Sequence, residues 1–120
     1  MTVVDDLQER YQNFVAERNW EQFHTPKNLA EALSVESSEL LELFLWHDNL
    51  PAEEIRTNEE LLTRIEEELA DVLIYSIALA TQLDIDLIDA VEEKMADNET
   101  RFDDQRASEI TEDLRQWQRD

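Results

Sequence analysis

The chain contains no glycine among its 120 residues, and this absence restricts its possible folds more than any other feature. Tight hairpin turns of the primed types need residues with positive φ, and glycine is the residue that most often supplies them. Glycine-rich loops that bind phosphates or dinucleotides are excluded too, as is the nucleophile elbow of α/β-hydrolases. The sequence therefore predicts an all-α protein in which any phosphate chemistry depends on side chains and metal.

Capping residues place the first two helices. Thr2 or Asp5 can open a first helix that ends near residues 18–20. Thr25-Pro26 is a strong start signal, because an N-cap threonine is followed by proline at the first helical position. The apolar pattern then predicts a second helix that reaches about His47, followed by a polar connection.

Capping residues also mark the helix starts in the second half of the chain. Residues 57–60 read Thr-Asn-Glu-Glu, which has the form of a capping box and predicts a third helix to about Leu83. Asp86 is the expected N-cap of a fourth helix. A connection over residues 103–107 precedes a last helix whose narrow apolar stripe needs a docking partner. We expect a four-helix bundle domain over residues 1–103, with its two middle helices antiparallel, and a helical extension over 104–120.

Two acidic pairs lie inside the most apolar stretches of the chain. Glu36 and Glu39 are three residues apart, as are Glu68 and Asp71. This spacing puts each pair on neighbouring positions of one helix. Glu36 and Glu68 each fall in the middle of an apolar face, formed respectively by Leu29, Leu33, Leu40, Leu43 and Phe44, and by Leu61, Ile65, Val72 and Leu79.

Carboxylates turned toward a helix interface repel one another and lose hydration unless cations compensate them. Few basic residues are near, whereas oxygen ligands from two facing helices suit Mg²⁺. The pattern thus favours a metal site over the alternative of solvated acids. A di-iron centre also uses helical acids but needs two Glu-x-x-His sequences. Only Glu21-x-x-His24 has that form, and Pro26 follows just beyond it.

The overall charge excludes several functions. Thirty-one acidic residues against ten basic ones give a formal charge of −21, which repels nucleic acids and anionic membranes. We therefore expect neither as a partner. There is no cysteine, so disulfides and thiolate chemistry are excluded. The first residues lack a basic region and an apolar signal core, and a cytoplasmic location is the default expectation.

Several other side chains are candidates for ligand binding. The cations among them could meet phosphate oxygens or pair with surface acids. The two tryptophans lie at helix ends, where they could stack on a flat ligand or pack in the core. His24 is open to either a binding or a loop-packing role. The cations are Lys27, Lys94 and Arg101, and the tryptophans are Trp20 and Trp46.

Together these residues resemble a known family. The run Arg18–Leu29, the acidic pair of the second helix and Phe44-Leu45-Trp46 resemble the all-α nucleoside triphosphate pyrophosphohydrolases of the MazG type. The runs Glu67–Tyr75 and Glu93–Phe102 are similar to the second acidic motif and the closing segment of that family. The resemblance covers about residues 7–102 and points to the dCTP pyrophosphatase branch.

The resemblance implies a set of residue roles. Glu36, Glu39, Glu68 and Asp71 would hold Mg²⁺, or Mn²⁺, and serve the catalytic step, with Glu39 as the preferred proton acceptor. Phosphate or sugar contacts would come from Lys94, Asn98, Tyr75, Lys27 and Arg101. Base contacts would come from Trp20, Trp46, His24, Tyr11 and Asn28. The family also implies a homodimer or a homotetramer, with sites completed between subunits.

One departure from the family affects the expected substrate. The dCTP branch often has histidine at the position of Tyr11, and the two side chains offer different hydrogen-bonding groups to a base. We expect Mg²⁺-dependent hydrolysis of dCTP, or of a related or modified deoxynucleotide, to the monophosphate and pyrophosphate, in clearance of unwanted nucleotides. The alternative is a non-catalytic acidic helical protein that binds partners or mimics nucleic acid.

Overall fold

The computed structural model describes residues 2–47 and 49–119, and the regular structure in these ranges is helical. Six α-helices and one short 3₁₀ turn, Glu21–Phe23, account for the regular structure of the described residues, which confirms the all-α prediction. The helices are α1 Val3–Glu17, α2 Pro26–Glu42, α3 Ala52–Arg56, α4 Glu59–Gln82, α5 Leu87–Arg101 and α6 Asp104–Arg119.

Side-chain caps fix the starts of the predicted helices. Thr2 forms a reciprocal capping box with Asp5 at the start of α1. Thr25 and Asp86 each accept a hydrogen bond from the backbone N–H three residues later and so cap α2 and α5. These bonds satisfy N–H groups that have no partner within the helix, which is why the capping residues located the starts correctly.

The second helix is shorter than predicted. It ends at Glu42 rather than at about His47, and residues 43–46 form turns. The backbone N–H of Leu43 bonds to the carbonyl of Leu40 at 3.2 Å, and the N–H of Phe44 bonds to that of Leu41 at 3.0 Å. These bonds span three residues instead of four, so the backbone tightens although the apolar pattern continues.

Three smaller predictions also need correction. The connection before the third long helix contains α3, and the N-cap of α4 is Asn58, whose side chain accepts from the N–H of Leu61 at 3.2 Å. The hydroxyl of Thr57 instead donates to the carbonyl of Glu54. The expected connection over residues 103–107 is nearly absent, because α6 begins at Asp104.

Asparagine and aspartate take the place of glycine where helices end. Asn19 and Asp84 have φ of 56° and 53°, just beyond the last turns of α1 and α4. The next residue in each case, Trp20 or Ile85, bonds back to a carbonyl five residues earlier. This is the Schellman arrangement, in which glycine is the usual residue at positive φ and asparagine an accepted substitute. This arrangement ends α1 at Glu17, so Trp20 lies only three residues beyond the helix.

The first compact unit runs through Ile85 and contains the predicted central hairpin. Helices α2 and α4 form its most extensive contact, and α1 and α3 also pack on α4. Leu43 and Leu61 line one groove while Glu36 lies beside Glu68, so the two long helices run antiparallel. The buried core consists of Val15, Leu29, Leu61, Ile77, Ala78 and Ala80.

The second compact unit starts at Asp86 and contains α5 and α6. Its apolar side chains are mostly exposed, among them Met95 and Trp117, while Ile110 is half-buried. The domain boundary at residue 103 stays a prediction. In the part of the chain that the structure describes, no helix combines the length and apolar character needed to cross a bilayer.

Candidate functional site

Helices α2 and α4 bring acidic side chains from both predicted pairs to the interface between them. The caps at Thr25 and Asn58 set where each helix begins, and buried Leu29 and Leu61 anchor the two helices against the core. Since the acids share the apolar faces of these helices, packing those faces brings the acids together.

Three of the four predicted carboxylates converge. One oxygen from each of Glu36, Glu39 and Glu68 lies within 4.8 Å of the other two. Glu36 and Glu68 are half-buried, whereas Glu39 is exposed. Oxygen Oε2 of Glu68 is buried and has no hydrogen-bond partner among the described residues. A buried acceptor without a donor is costly, so a cation at this point would stabilise it.

The electrostatics of the cluster follow from this crowding. A hydrogen bond to Glu68, burial, a hydrogen bond to Glu39 and the negative charges of Glu39 and Asp71 raise the pKa of Glu36 to about 7. Glu36 therefore keeps its proton to a higher pH than an ordinary glutamate does. A divalent cation would have to displace that proton, so its binding strengthens as pH rises.

Asp71 lies next to the cluster rather than within it. It is not among the three carboxylates that meet within 4.8 Å, yet its charge contributes to the raised pKa of Glu36. Asp71 lines a cavity that also contains the ring of Tyr75. Burial, followed by the charges of Glu36 and Asp71, raises the pKa of the Tyr75 phenol. Tyr75 thus connects the acidic cluster with the cavity.

The cavity has a volume of about 680 Å³ and a largely apolar lining that combines aromatic and aliphatic side chains. Volumes of this order are typical of sites for small organic ligands. Phe14 and Trp20 meet edge to face with their ring centroids 5.7 Å apart, and Tyr11 stacks on Phe14 at 6.4 Å. Phe14 was not among the predicted site residues. Its spacing from Tyr11 is the signal that identifies it.

A short hydrogen bond joins two predicted base-binding residues in this cavity. The hydroxyl oxygen of Tyr11 lies 2.6 Å from Nδ1 of His24. Both residues are half-buried and line the cavity together with Trp20. Burial, and to a lesser degree the neighbouring Tyr75, raises the pKa of Tyr11 to about 12.

A second groove, of about 740 Å³, lies on α2 and α4 beside the same acids. Glu39 and Glu68 line it together with Trp46, whose surface is 88% exposed. The single chain therefore does not bring Trp20 and Trp46 to one cavity. Arg64 also lines this groove, and the sequence interpretation missed it because one arginine on a polar helix face carries no distinctive signal.

The remaining predicted residues have local partners. Lys27 pairs with Glu31 at 3.1 Å, and the amide of Asn28 donates to the carbonyl of Phe23 at 3.1 Å. In the second unit, Asp97 contacts Lys94 at 3.4 Å and Arg101 at 3.8 Å, while Asn98 is half-buried. These exposed pairs are weak and leave the cations available to other anions. Their assignment to phosphate or sugar stays a prediction.

The family of the chain follows from a match to a model of the MazG-like family over residues 32–116. The chain belongs to the MazG-like family. This result confirms the resemblance read from the acidic motifs. The matched range contains both acidic pairs and the whole of α4 and α5.

Relatives of this MazG-like chain include dCTP pyrophosphatase 1 of Mus musculus and of Homo sapiens. Each is 44% identical over 100 residues, which cover 82% of this chain and 58% of the relative. The chain thus spans less than two thirds of the length of these curated relatives. The crystal structure of a pyrophosphatase from Archaeoglobus fulgidus is also similar, with 39% identity and a TM-score of 0.77. That match covers 86% of this chain and 94% of the other.

Proposed function

We propose that the protein hydrolyses a nucleoside triphosphate, dCTP or a related or modified deoxynucleotide, to the monophosphate and pyrophosphate in a Mg²⁺-dependent reaction. The observation that carries this proposal is the convergence of Glu36, Glu39 and Glu68 beside an aromatic cavity. The names of the similar proteins, dCTP pyrophosphatase 1 and a pyrophosphatase, support the same reaction class.

The donor atoms fit a hard divalent cation. All three converging groups are carboxylates, and Oε2 of Glu68 has no donor among the described residues. Oxygen donors of this kind suit Mg²⁺, and Mn²⁺ accepts the same ligands. We assign Glu36, Glu39 and Glu68 as ligands and Asp71 as the fourth acid of the site. When bound, the cation would offset the phosphate charge and lower the pKa of the attacking water.

The acids also provide a proton acceptor. Glu39 is the exposed member of the cluster, so water can reach its carboxylate. We assign Glu39 as the group that takes the proton from the attacking water, directly or through a second water. No covalent intermediate on the protein is required, which agrees with the absence of cysteine.

The cavity accounts for recognition of the nucleoside. Trp20, Phe14 and Tyr11 provide flat aromatic surfaces on which a base can stack. Asp71 and Tyr75 lie at the part of the lining next to the acidic cluster, so the triphosphate would extend in that direction. On the family pattern we assign base contacts also to His24, Asn28 and Trp46, and phosphate or sugar contacts to Lys27, Lys94, Asn98 and Arg101.

Pyrophosphate release from a panel of nucleotides with Mg²⁺ or Mn²⁺ tests this proposal. Glu39→Gln and Asp71→Asn should reduce turnover by at least about 100-fold, the scale expected for loss of general-base catalysis. Glu66→Gln is the matched control, since Glu66 is exposed on α4, the helix of Asp71, and lies outside the converging group. Unchanged release by Glu39→Gln and Asp71→Asn would reject the assigned site. No release from any nucleotide by the unmodified protein would favour the non-catalytic acidic protein.

The proposal includes self-association and a cytoplasmic location, where the nucleotide pool is found. Large apolar side chains on α2 and on the turns that follow it are exposed in the single chain. They include Leu41, which is 72% exposed, and Leu45, which is 68% exposed. Exposed apolar surface of this extent is typical of subunit interfaces. Light scattering should therefore give the mass of a homodimer or a homotetramer.

A further inference from the structure

The groove on α2 and α4 combines one basic side chain with several acidic ones. Among the residues that the structure describes there, Arg64 is the one arginine or lysine in the lining. Glu60 and Glu68 lie four residues before and after it on α4, close enough for helical ion pairs. Arg64 nevertheless forms no ion pair with any described residue. Its exposed guanidinium therefore keeps its N–H donors available to a ligand in the groove.

Arg64 also belongs to a stripe of α4 that connects the groove with the cavity. Four positions of this helix follow one another at alternating spacings of four and three residues, which places them on one side of it. The first two line the groove, and the last two line the cavity. The acidic cluster therefore lies between the two spaces. In chain order these residues are Arg64, Glu68, Asp71 and Tyr75.

We propose that Arg64 binds the β- and γ-phosphates of the substrate and stabilises pyrophosphate as it leaves. The inference rests on the proposed function, and it names the residue that binds the leaving group of that reaction. With the nucleoside in the cavity and the α-phosphate beside the acids, the next two phosphates extend along α4 into the groove. Arg64 lies about 6 Å from Glu68 along the helix axis, a distance similar to the length of a diphosphate group.

The reaction places additional negative charge next to Arg64. The oxygen of the attacking water forms a bond to the α-phosphorus, and one of its protons passes to Glu39. The bond from the α-phosphorus to the oxygen that bridges to the β-phosphate breaks, and that oxygen keeps the electron pair. A guanidinium can donate two parallel N–H bonds to phosphate oxygens, and these bonds strengthen as the charge on the leaving group grows.

The acids of the groove make such a cation necessary. Four glutamates line it and would repel pyrophosphate from the place where the substrate geometry directs it. Arg64 offsets part of that repulsion at the end of the groove farthest from Asp71. The four acids are Glu39, Glu42, Glu60 and Glu68.

Calorimetric binding of pyrophosphate and of dCMP, each in Mg²⁺, tests the proposal without turnover. Arg64→Gln should weaken pyrophosphate binding by at least about tenfold, the scale of charge-assisted hydrogen bonds. It should leave dCMP binding nearly unchanged, because dCMP ends at the α-phosphate. Arg56→Gln is the matched control and should change neither affinity, since Arg56 is exposed in the same compact unit and outside the groove lining. Unchanged pyrophosphate binding by Arg64→Gln, or an equal loss for both ligands, would overturn the inference.

Steady-state pyrophosphate release from dCTP adds a kinetic readout. Arg64→Gln should lower kcat by at least about tenfold, because the contact strengthens as the leaving group departs. A higher KM with unchanged kcat would mean that Arg64 binds substrate and transition state equally, and it would overturn the assigned stabilisation of the leaving group.

Crystals of the unmodified protein with pyrophosphate and Mg²⁺ test the contact itself. Phosphate oxygens should lie within about 3.2 Å of the guanidinium nitrogens of Arg64. Pyrophosphate bound away from Arg64, or not bound, would overturn the inference even where Arg64→Gln fails to fold. Absence of turnover together with Arg64-dependent pyrophosphate binding would reject only the proposed reaction. Turnover that does not depend on Arg64 would overturn only this inference.

Discussion

Replacing Glu36 by glutamine should make the protein more stable without metal and should abolish its stabilisation by Mg²⁺. Glutamine has the shape of a protonated glutamate, and its amide can donate to the carboxylate of Glu68. The substitution therefore removes one of three charges that lie within 4.8 Å of one another. It also removes an oxygen ligand of the proposed cation. The two effects have opposite signs, so one variant tests both.

The separation of the carboxylates sets the size of the expected change in stability. Two unit charges at 4.8 Å repel by about 1 kcal/mol at the dielectric constant of water and by about 3.5 kcal/mol at an effective value of 20. We therefore expect a gain of about 1–3 kcal/mol for the metal-free variant above pH 7. At about 4 °C per kcal/mol, the melting temperature should rise by about 4–12 °C. Mg²⁺ at 100 times its Kd should stabilise the original protein alone, by about 2.7 kcal/mol.

The pH dependence follows from the raised pKa of Glu36. The folded protein holds this proton up to pH about 7, whereas the unfolded chain releases it near 4.5. The favourable contribution is therefore complete below pH 4.5 and is lost as pH rises toward 7. The advantage of Glu36→Gln should grow over the same interval and stay constant above it.

Thermal and urea denaturation at pH 5.5 and pH 8, in EDTA and in Mg²⁺, provide the measurements. Protein concentration is held constant, because self-association also shifts the melting temperature. Glu66→Gln is the control for net charge, because Glu66 is exposed on α4 outside the converging group, and it should reproduce none of these changes. A Glu36→Gln protein that is less stable than the original in EDTA at pH 8 would refute the crowding argument. An equal response of both proteins to Mg²⁺ would refute the ligand assignment.

The other predictions concern the helices that carry the site. Leu29→Ala should cost about 2–5 kcal/mol in urea denaturation because Leu29 is only 2% exposed, whereas Ser34→Ala at an exposed position of the same helix should cost less than about 0.5 kcal/mol; equal losses would contradict the assigned packing of α2. Asn19→Ala should destabilise by about 1–2 kcal/mol and Asn19→Gly should not, since only the alanine is strained at φ 56°. Similar melting temperatures for these two variants would argue against the Schellman ending of α1. Thr25→Ala should cost about 1 kcal/mol by removing the cap of α2, and recovery with Thr25→Ser is the check on that cause.

The sequence predicted the helix starts well because their signals are local. The caps at Thr2, Thr25 and Asp86 depend on one side chain and a backbone N–H three residues later. The end of α2 was harder to predict. Residues 43–46 keep the apolar spacing of the helix, and apolar spacing alone does not distinguish an α-helix from tighter turns.

The sequence also pointed to part of the candidate site. The acids were recognisable because Glu36 and Glu68 interrupt apolar faces, and the structure brings these two together with Glu39. The spacing of Asp71 from Glu68 predicted that the two are neighbours, but spacing alone could not show that Asp71 lies next to the three converging carboxylates rather than among them. The hydrogen bond of Tyr11 was equally hidden, since its partner lies 13 residues away on a different segment.

Anomalous diffraction from crystals containing Mn²⁺ tests the central claim most directly. The claim predicts a strong anomalous peak within about 2.5 Å of carboxylate oxygens from Glu36, Glu39 and Glu68. The peak should be lost in Glu36→Gln crystals and retained in Glu66→Gln crystals. A peak at other acids, or none at millimolar Mn²⁺, would contradict the account.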